Sequence, residues 1–229
     1  MKRILTAFLI TSLATLTFGQ SENGPTTADQ QKAMTPDAIL KDLMDGNKRY
    51  VENTLKKRDY KAAIKATSTG QYPKAVILSC LDSRVPVEQV FDQGIGDIFV
   101  GRVAGNVENK DQLGSMEFAT KLAGSKLVMV LGHESCGAVK GACDHAKLGN
   151  LTALLKKIKP AVDSVEGHEG ERTSKNKAFV HEVVVANVHR TVSDIRKKSP
   201  VLKKMEDDGE IKIVGALYSL KDGSVTLLK

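Results

Sequence analysis

The sequence predicts an α/β protein. It reads as a mostly parallel central sheet of four parallel strands plus an antiparallel edge strand, flanked by helices. Three observations predict it. Residues 75–78 (Ala-Val-Ile-Leu) and 127–131 (Leu-Val-Met-Val-Leu) are continuous apolar runs, the pattern of parallel strands covered on both faces. Such runs alternate with segments of helical periodicity, which implies layers of helix on a sheet. Reactive residues stand directly after the two strongest runs: Cys80-Leu81-Asp82-Ser83-Arg84 after the first, His133-Glu134-Ser135-Cys136-Gly137 after the second. Open α/β sheets bind ligands at the carboxyl ends of their strands, which is where these residues fall.

Each element has its own signal. Thr35-Pro36-Asp37 starts a helix, with Thr as N-cap and Pro at the first position. Ile39, Leu40, Leu43, Met44 and Tyr50 carry its apolar stripe to about residue 51. A second helix is expected within 56–67, a first strand at 74–79 and a second at 97–100. Asp111 is placed to cap a helix that runs through 122 and ends at Gly124. The third strand is expected at 126–131, with a helix starting near Cys136 and another over 150–158 that stops at Pro160. Residues 163–177 are rich in Gly, Ser and charge and read as an exposed loop. A long helix follows at 178–198 and a fourth strand at 211–217. Asp222-Gly223 then turns the chain into a short antiparallel strand, 224–228.

Residues 1–19 read as a secretory signal. Lys2-Arg3 precede an apolar core, residues 4–16, and Thr17 and Gly19 are small residues at the positions a signal peptidase reads, with cleavage before Gln20. The apolar core is short for a bilayer span, so no stable membrane association is expected after cleavage, and the product would be periplasmic or secreted. Residues 20–34 read as a polar, flexible lead-in. Residues 35–229 are one domain, long enough to bury about 70% of its unfolded surface. The formal charge is +7, of which Lys2 and Arg3 supply two. No basic tract exceeds three residues, aromatics are 4% and Trp is absent, which argues against a nucleic-acid partner.

Cys80, His133 and Cys136 supply two thiolates and one imidazole. That set suits zinc with a fourth position left for water. A Cys80–Cys136 disulfide is the alternative that export would favour, but it leaves His133, Asp82 and Arg84 without a role. Cys143 lies two helical turns beyond Cys136, a spacing that suits core packing. Asp82 is close enough to reach the metal as a possible fourth ligand in a closed state. Arg84 can hold it away through two parallel hydrogen bonds. Gly137 opens a helix whose free N–H groups favour a nearby anion, and Glu134 reads as an exposed loop carboxylate.

Cys-x-Asp-x-Arg after one strand and His-x-x-Cys after a later one resemble the β-class carbonic anhydrases. The resemblance extends through Gly46-Asn47-Lys48-Arg49, Gln71, Gly96-Asp97-Ile98-Phe99-Val100, Arg102, Asn106 and Val214-Gly215-Ala216-Leu217-Tyr218. It implies zinc held by Cys80, His133 and Cys136, an active-site dyad of Asp82 and Arg84, and Gln71 beside the substrate. It also implies reversible hydration of CO2 to bicarbonate by a zinc-bound hydroxide, and assembly as a homodimer or a multiple of dimers. Two departures stand out: Ala138 replaces a second Gly, and Arg102-Val103-Ala104-Gly105-Asn106 replaces Arg-Asn-x-x-Asn. Competing readings are a carbonyl sulfide or carbon disulfide hydrolase on the same scaffold, or a non-catalytic zinc-binding protein closed by Asp82.

Overall fold

A computed structural model describes residues 24–229; the segment read as a signal, 1–19, lies outside them. The first half of the chain forms helices α1 (Ala28–Ala33), α2 (Pro36–Val51) and α3 (Tyr60–Thr67), strand β1 (Ala75–Ser79), helix α4 (Val87–Val90), strand β2 (Ile98–Arg102) and helix α5 (Lys110–Glu117). Then come strand β3 (Leu127–His133), helices α6 (Gly137–Cys143), α7 (Gly149–Ser164), α8 (Lys177–Lys198) and α9 (Pro200–Asp207), and strands β4 (Lys212–Tyr218) and β5 (Val225–Leu228). The sheet order is β2-β1-β3-β4-β5. The first four strands are parallel and β5 is antiparallel to β4, as expected.

The continuous apolar runs are explained by a core on each face. Side chains alternate across a strand. Ala75, Ile77, Leu127, Met129 and Leu131 pack on one face with Ile39, Leu43 and Phe91 from α2 and the end of α4. Val76, Leu78, Val128 and Val130 pack on the other with Leu113, Val188, Ile195 and Leu202 from α5, α8 and α9. A polar residue at any of these positions would enter a core.

The Gly46-Asn47-Lys48-Arg49 segment joins α2 to this frame. A Cβ at Gly46 would lie 1.9 Å from the Phe91 carbonyl oxygen, so only glycine permits this approach. Asn47 Nδ2 donates to the carbonyls of Val90 and Gly223, and its Oδ1 accepts from Val225 N–H. One side chain thus ties α2, α4 and the β4–β5 turn. Arg49 and Arg58 clamp the buried Asp92 carboxylate at 2.6 and 2.5 Å.

Three expectations are corrected, and one further helix is found. The stretch read as a flexible lead-in contains α1, closed by a Thr27–Gln30 capping box. It is docked: Thr26 donates its N–H and hydroxyl to Asp97, and the buried Gln31 donates to the Pro73 and Ala123 carbonyls. Those partners are 42 to 92 residues away, beyond the reach of local polarity. Helix α7 does not stop at Pro160 but runs to Ser164, because Leu155, Ile158, Ala161 and Val162 bury a face against α6 and α8. That burial outweighs the roughly 3 kcal/mol a mid-helix proline costs. Asn109, not Asp111, caps α5 by accepting from Gln112 N–H. Beyond α5 a wide π turn, Phe118–Leu122, carries the chain to Gly124 at φ +80°. Helix α9, capped by Ser199 with Pro200 at its first position, is an element the sequence reading did not place.

Candidate metal centre

Parallel pairing sets the site. Ser79 of β1 pairs with Leu131 of β3, so Cys80 follows β1 at the same sheet end where His133 closes β3. Three residues on, Cys136 is the N-cap residue of α6. Cys80, His133 and Cys136 are all buried, and their ligand atoms lie within 4.8 Å of one another. The two Sγ atoms are 4.0 Å apart and unbonded. Around a tetrahedral zinc, such donors sit roughly 3.5–3.8 Å apart, close to what the folded chain provides.

The imidazole is oriented for a metal. His133 Nδ1 lies 2.8 Å from the Glu134 carbonyl oxygen. A carbonyl only accepts, so Nδ1 carries the hydrogen and Nε2 keeps its lone pair. Nε2 is buried and has no hydrogen-bond partner among the described residues. A buried lone pair facing two sulfurs is an unmet cost unless a cation takes it, so the donor set fits zinc. The thiols are also polarised. Cys80 is pushed down, chiefly by the hydrogen bond from Cys136, which is pushed up by the same bond and by burial. The two sulfurs, 4.0 Å apart, are thus pushed in opposite directions by their shared contact.

Asp82 and Arg84 stand at the mouth. Arg84 Nε and Nη2 donate to Asp82 Oδ1 and Oδ2 at 2.9 and 2.8 Å, and Arg84 N–H donates to Oδ1 at 3.0 Å. Asp82 Oδ2 is 3.7 Å from His133 Nε2, so the carboxylate faces the cluster while tied to the guanidinium. The Arg84 hydrogen bonds hold the Asp82 carboxyl well below the usual carboxylate range. Arg102, at the end of β2, secures this loop from behind, donating to the Cys80 and Asp82 carbonyls at 3.0 and 2.6 Å.

The two departures from the family pattern meet in space. Gly105 has φ +71°, and its N–H donates to Cys80 Sγ at 3.4 Å. A Cβ there would come 3.3 Å from the Ala138 methyl and 2.6 Å from Ile158 Cδ1. Gly105 therefore leaves the room that Ala138 occupies. Asn187 of α8, itself buried, donates to the Gly105 carbonyl at 2.8 Å and holds the amide toward the sulfur.

The structure thus brings Cys80, Asp82, Arg84, His133 and Cys136 together. Gly137 opens α6 with free space around its Cα. Gln71 is exposed on the loop before β1. Cys143 packs in the core, its thiol pushed up to about 11 by burial. Sequence reasoning missed Gly105 and Asn187. The signal at Gly105 was a glycine three residues after the end of β2; Asn187 carried none beyond being polar within an apolar helix stripe.

Residues 75–225 match the family model described as Carbonic anhydrase. The chain is 36% identical over 201 residues to Carbonic anhydrase 2 of Mycobacterium tuberculosis, which covers 84% of this chain and 92% of that one. It is similar in structure to the β-carbonic anhydrase CafA of Aspergillus fumigatus, with a TM-score of 0.66 at 25% identity over 84% of this chain and 89% of that one. Tetrameric β-carbonic anhydrases of Sordaria macrospora share the fold, with a TM-score of 0.63 at 20% identity over 72% of this chain and 85% of theirs.

Proposed function

The chain belongs to the β-class carbonic anhydrases, and on that premise we propose how its own residues divide the work of interconverting CO2 and bicarbonate. Cys80, His133 and Cys136 hold zinc. When bound, zinc supplies a nucleophile from water near neutral pH and neutralises developing charge. Asp82 is the group that meets the attacking water. Its Oδ2 faces the cluster and accepts a hydrogen bond, turning the water's lone pair toward CO2. Because its acidity is strengthened, Asp82 stays a carboxylate throughout the working range. Arg84 keeps it there: with both carboxylate oxygens engaged, Asp82 is held off the metal position. The free N–H groups at Gly137 favour an anionic product, and Gln71 is assigned to the substrate side.

The single observation that carries this reading is the bidentate Asp82–Arg84 pair facing a buried, unpartnered imidazole nitrogen. It also favours a catalytic over a closed, structural zinc site, since permanent closure would need the carboxylate that Arg84 holds. Stopped-flow CO2 hydration with zinc assayed in the same sample tests it. One zinc per chain with rapid hydration, stopped by acetazolamide, is expected. Full zinc without hydration of CO2 sinks it and directs attention to carbonyl sulfide or carbon disulfide.

Two wider assignments belong to the same proposal. Export is supported by the Lys2-Arg3 and apolar 4–16 pattern; mass spectrometry of the exported chain should find Gln20 at its N-terminus. A homodimer is supported by β2, an edge strand whose Ile98, Phe99 and Val100 are half-buried, with Phe99 and Val100 lining a groove of about 790 Å³ between β2 and α5. Light scattering that returns the mass of one chain would remove it.

A further inference from the structure

We propose that the Glu134 side chain is a positioning residue for the metal, a clamp that fixes the His133 imidazole by tethering the metal loop to the β4–β5 turn. The inference rests on the zinc-site reading above.

Glu134 is joined to its surroundings at three points. Its N–H donates to the Tyr218 carbonyl at 3.1 Å, extending the β3–β4 pairing one residue past His133. Its carbonyl accepts from His133 Nδ1. Its carboxylate Oε2 accepts from Leu220 N–H at 3.2 Å. The peptide that orients the imidazole is therefore held from the β4 side twice, once by backbone and once by side chain. The tether is needed because the next residue resists the turn. Ser135 has φ +54°, a left-handed conformation that a non-glycine residue adopts only at a cost. Without the carboxylate, the chain from Glu134 to Cys136 can relax toward ordinary backbone angles. That would rotate the Glu134 carbonyl away from Nδ1 and free the ring.

The anchor point is itself fixed. Asn47 of α2 donates to the Gly223 carbonyl and accepts from Val225 N–H. Within the turn, Ser219 N–H donates to the Ser224 carbonyl and Gly223 N–H to the Ser219 carbonyl. Leu220 is thus a rigid donor, and the path runs from α2 through the β4–β5 turn to Glu134 and the imidazole. A metal-bound histidine whose second nitrogen is held binds better, because its tautomer and direction are set in advance. Glu134 supplies that hold indirectly and contacts neither metal nor substrate.

What matters on this account is an acceptor oxygen at the right reach; charge is secondary. Zinc affinity, measured by chelator competition on the full-length protein, should fall about 10- to 100-fold in Glu134→Ala. The visible bands of the cobalt(II)-substituted protein should shift in the same variant. Glu134→Gln keeps an acceptor at the same reach and should restore the parent affinity and spectrum. Glu134→Asp keeps the charge but falls short of Leu220, so it should bind zinc as weakly as the alanine variant, and it decides the question if the alanine variant does not fold. Parent-like affinity and spectrum in Glu134→Asp would overturn the clamp, as would a glutamine variant as weak as alanine. If the parent takes up zinc but does not hydrate CO2, the catalytic reading fails, while these affinities still decide the role of Glu134.

Discussion

The two limbs of the metal centre are built differently. The β1 limb, Cys80 to Arg84, is open and ionic: the Arg84 side chain is 56% exposed, and the loop is held by guanidinium donors from Arg84 and Arg102. The β3 limb, His133 to Cys136, has both ligands buried and is held by hydrogen bonds of its backbone and of Glu134. A limb that must meet substrate keeps its charges near water. A limb that must only hold a metal can bury its ligands and carry backbone strain, as it does at Ser135 with φ +54°. The difference teaches that metal retention and turnover rest on separate residues and should come apart on mutation.

The strongest break is His133→Ala. Removing the only nitrogen donor of the cluster should leave a purified protein without zinc and without measurable CO2 hydration, read by metal analysis. Arg84→Ala should separate the limbs: zinc stays, while turnover falls about 100-fold or more as Asp82 is freed to swing toward the metal. Near-normal turnover in that variant would erase the functional contrast between limbs. The pH dependence sharpens it. Two thiolates donate more charge than imidazoles, so the nucleophile should form late and kcat should rise between about pH 7 and pH 9. Asp82, its pKa lowered, loses its charge only well to the acid side of the usual carboxylate range and cannot produce that rise. A profile flat over the interval would contradict this division. The smallest expected effect is Gly105→Ala, which crowds Ile158 and Ala138 at φ +71° and should destabilise by about 1–3 kcal/mol. Its thermal midpoint should fall, and zinc affinity should fall with it as the amide leaves Cys80.

Much of the β1 limb was legible in the sequence, because Cys80, Asp82 and Arg84 sit within five residues and two-residue spacing suffices for the Asp82–Arg84 pair. The metal set was legible too, since both ligand segments directly follow apolar strands. Glu134 does lie in the turn after β3, but it is half-buried and not exposed as expected, because its carboxylate accepts from Leu220 N–H, 86 residues away. The contact that gives Gly105 and Asn187 their roles joins residues 82 apart and was not legible for the same reason.

By itself, the sequence determined the strand cores, the helix starts at Thr35-Pro36 and the identity of the ligands. Those depend on side-chain period, capping and donor chemistry, which are properties of neighbours in the chain. Tertiary structure alone decided that α7 passes through Pro160, that α1 docks on Asp97 through Thr26, and which nitrogen of His133 is free. Each of these is set by a burial or a hydrogen bond between distant segments, and such contacts exist only once the sheet has brought those segments together.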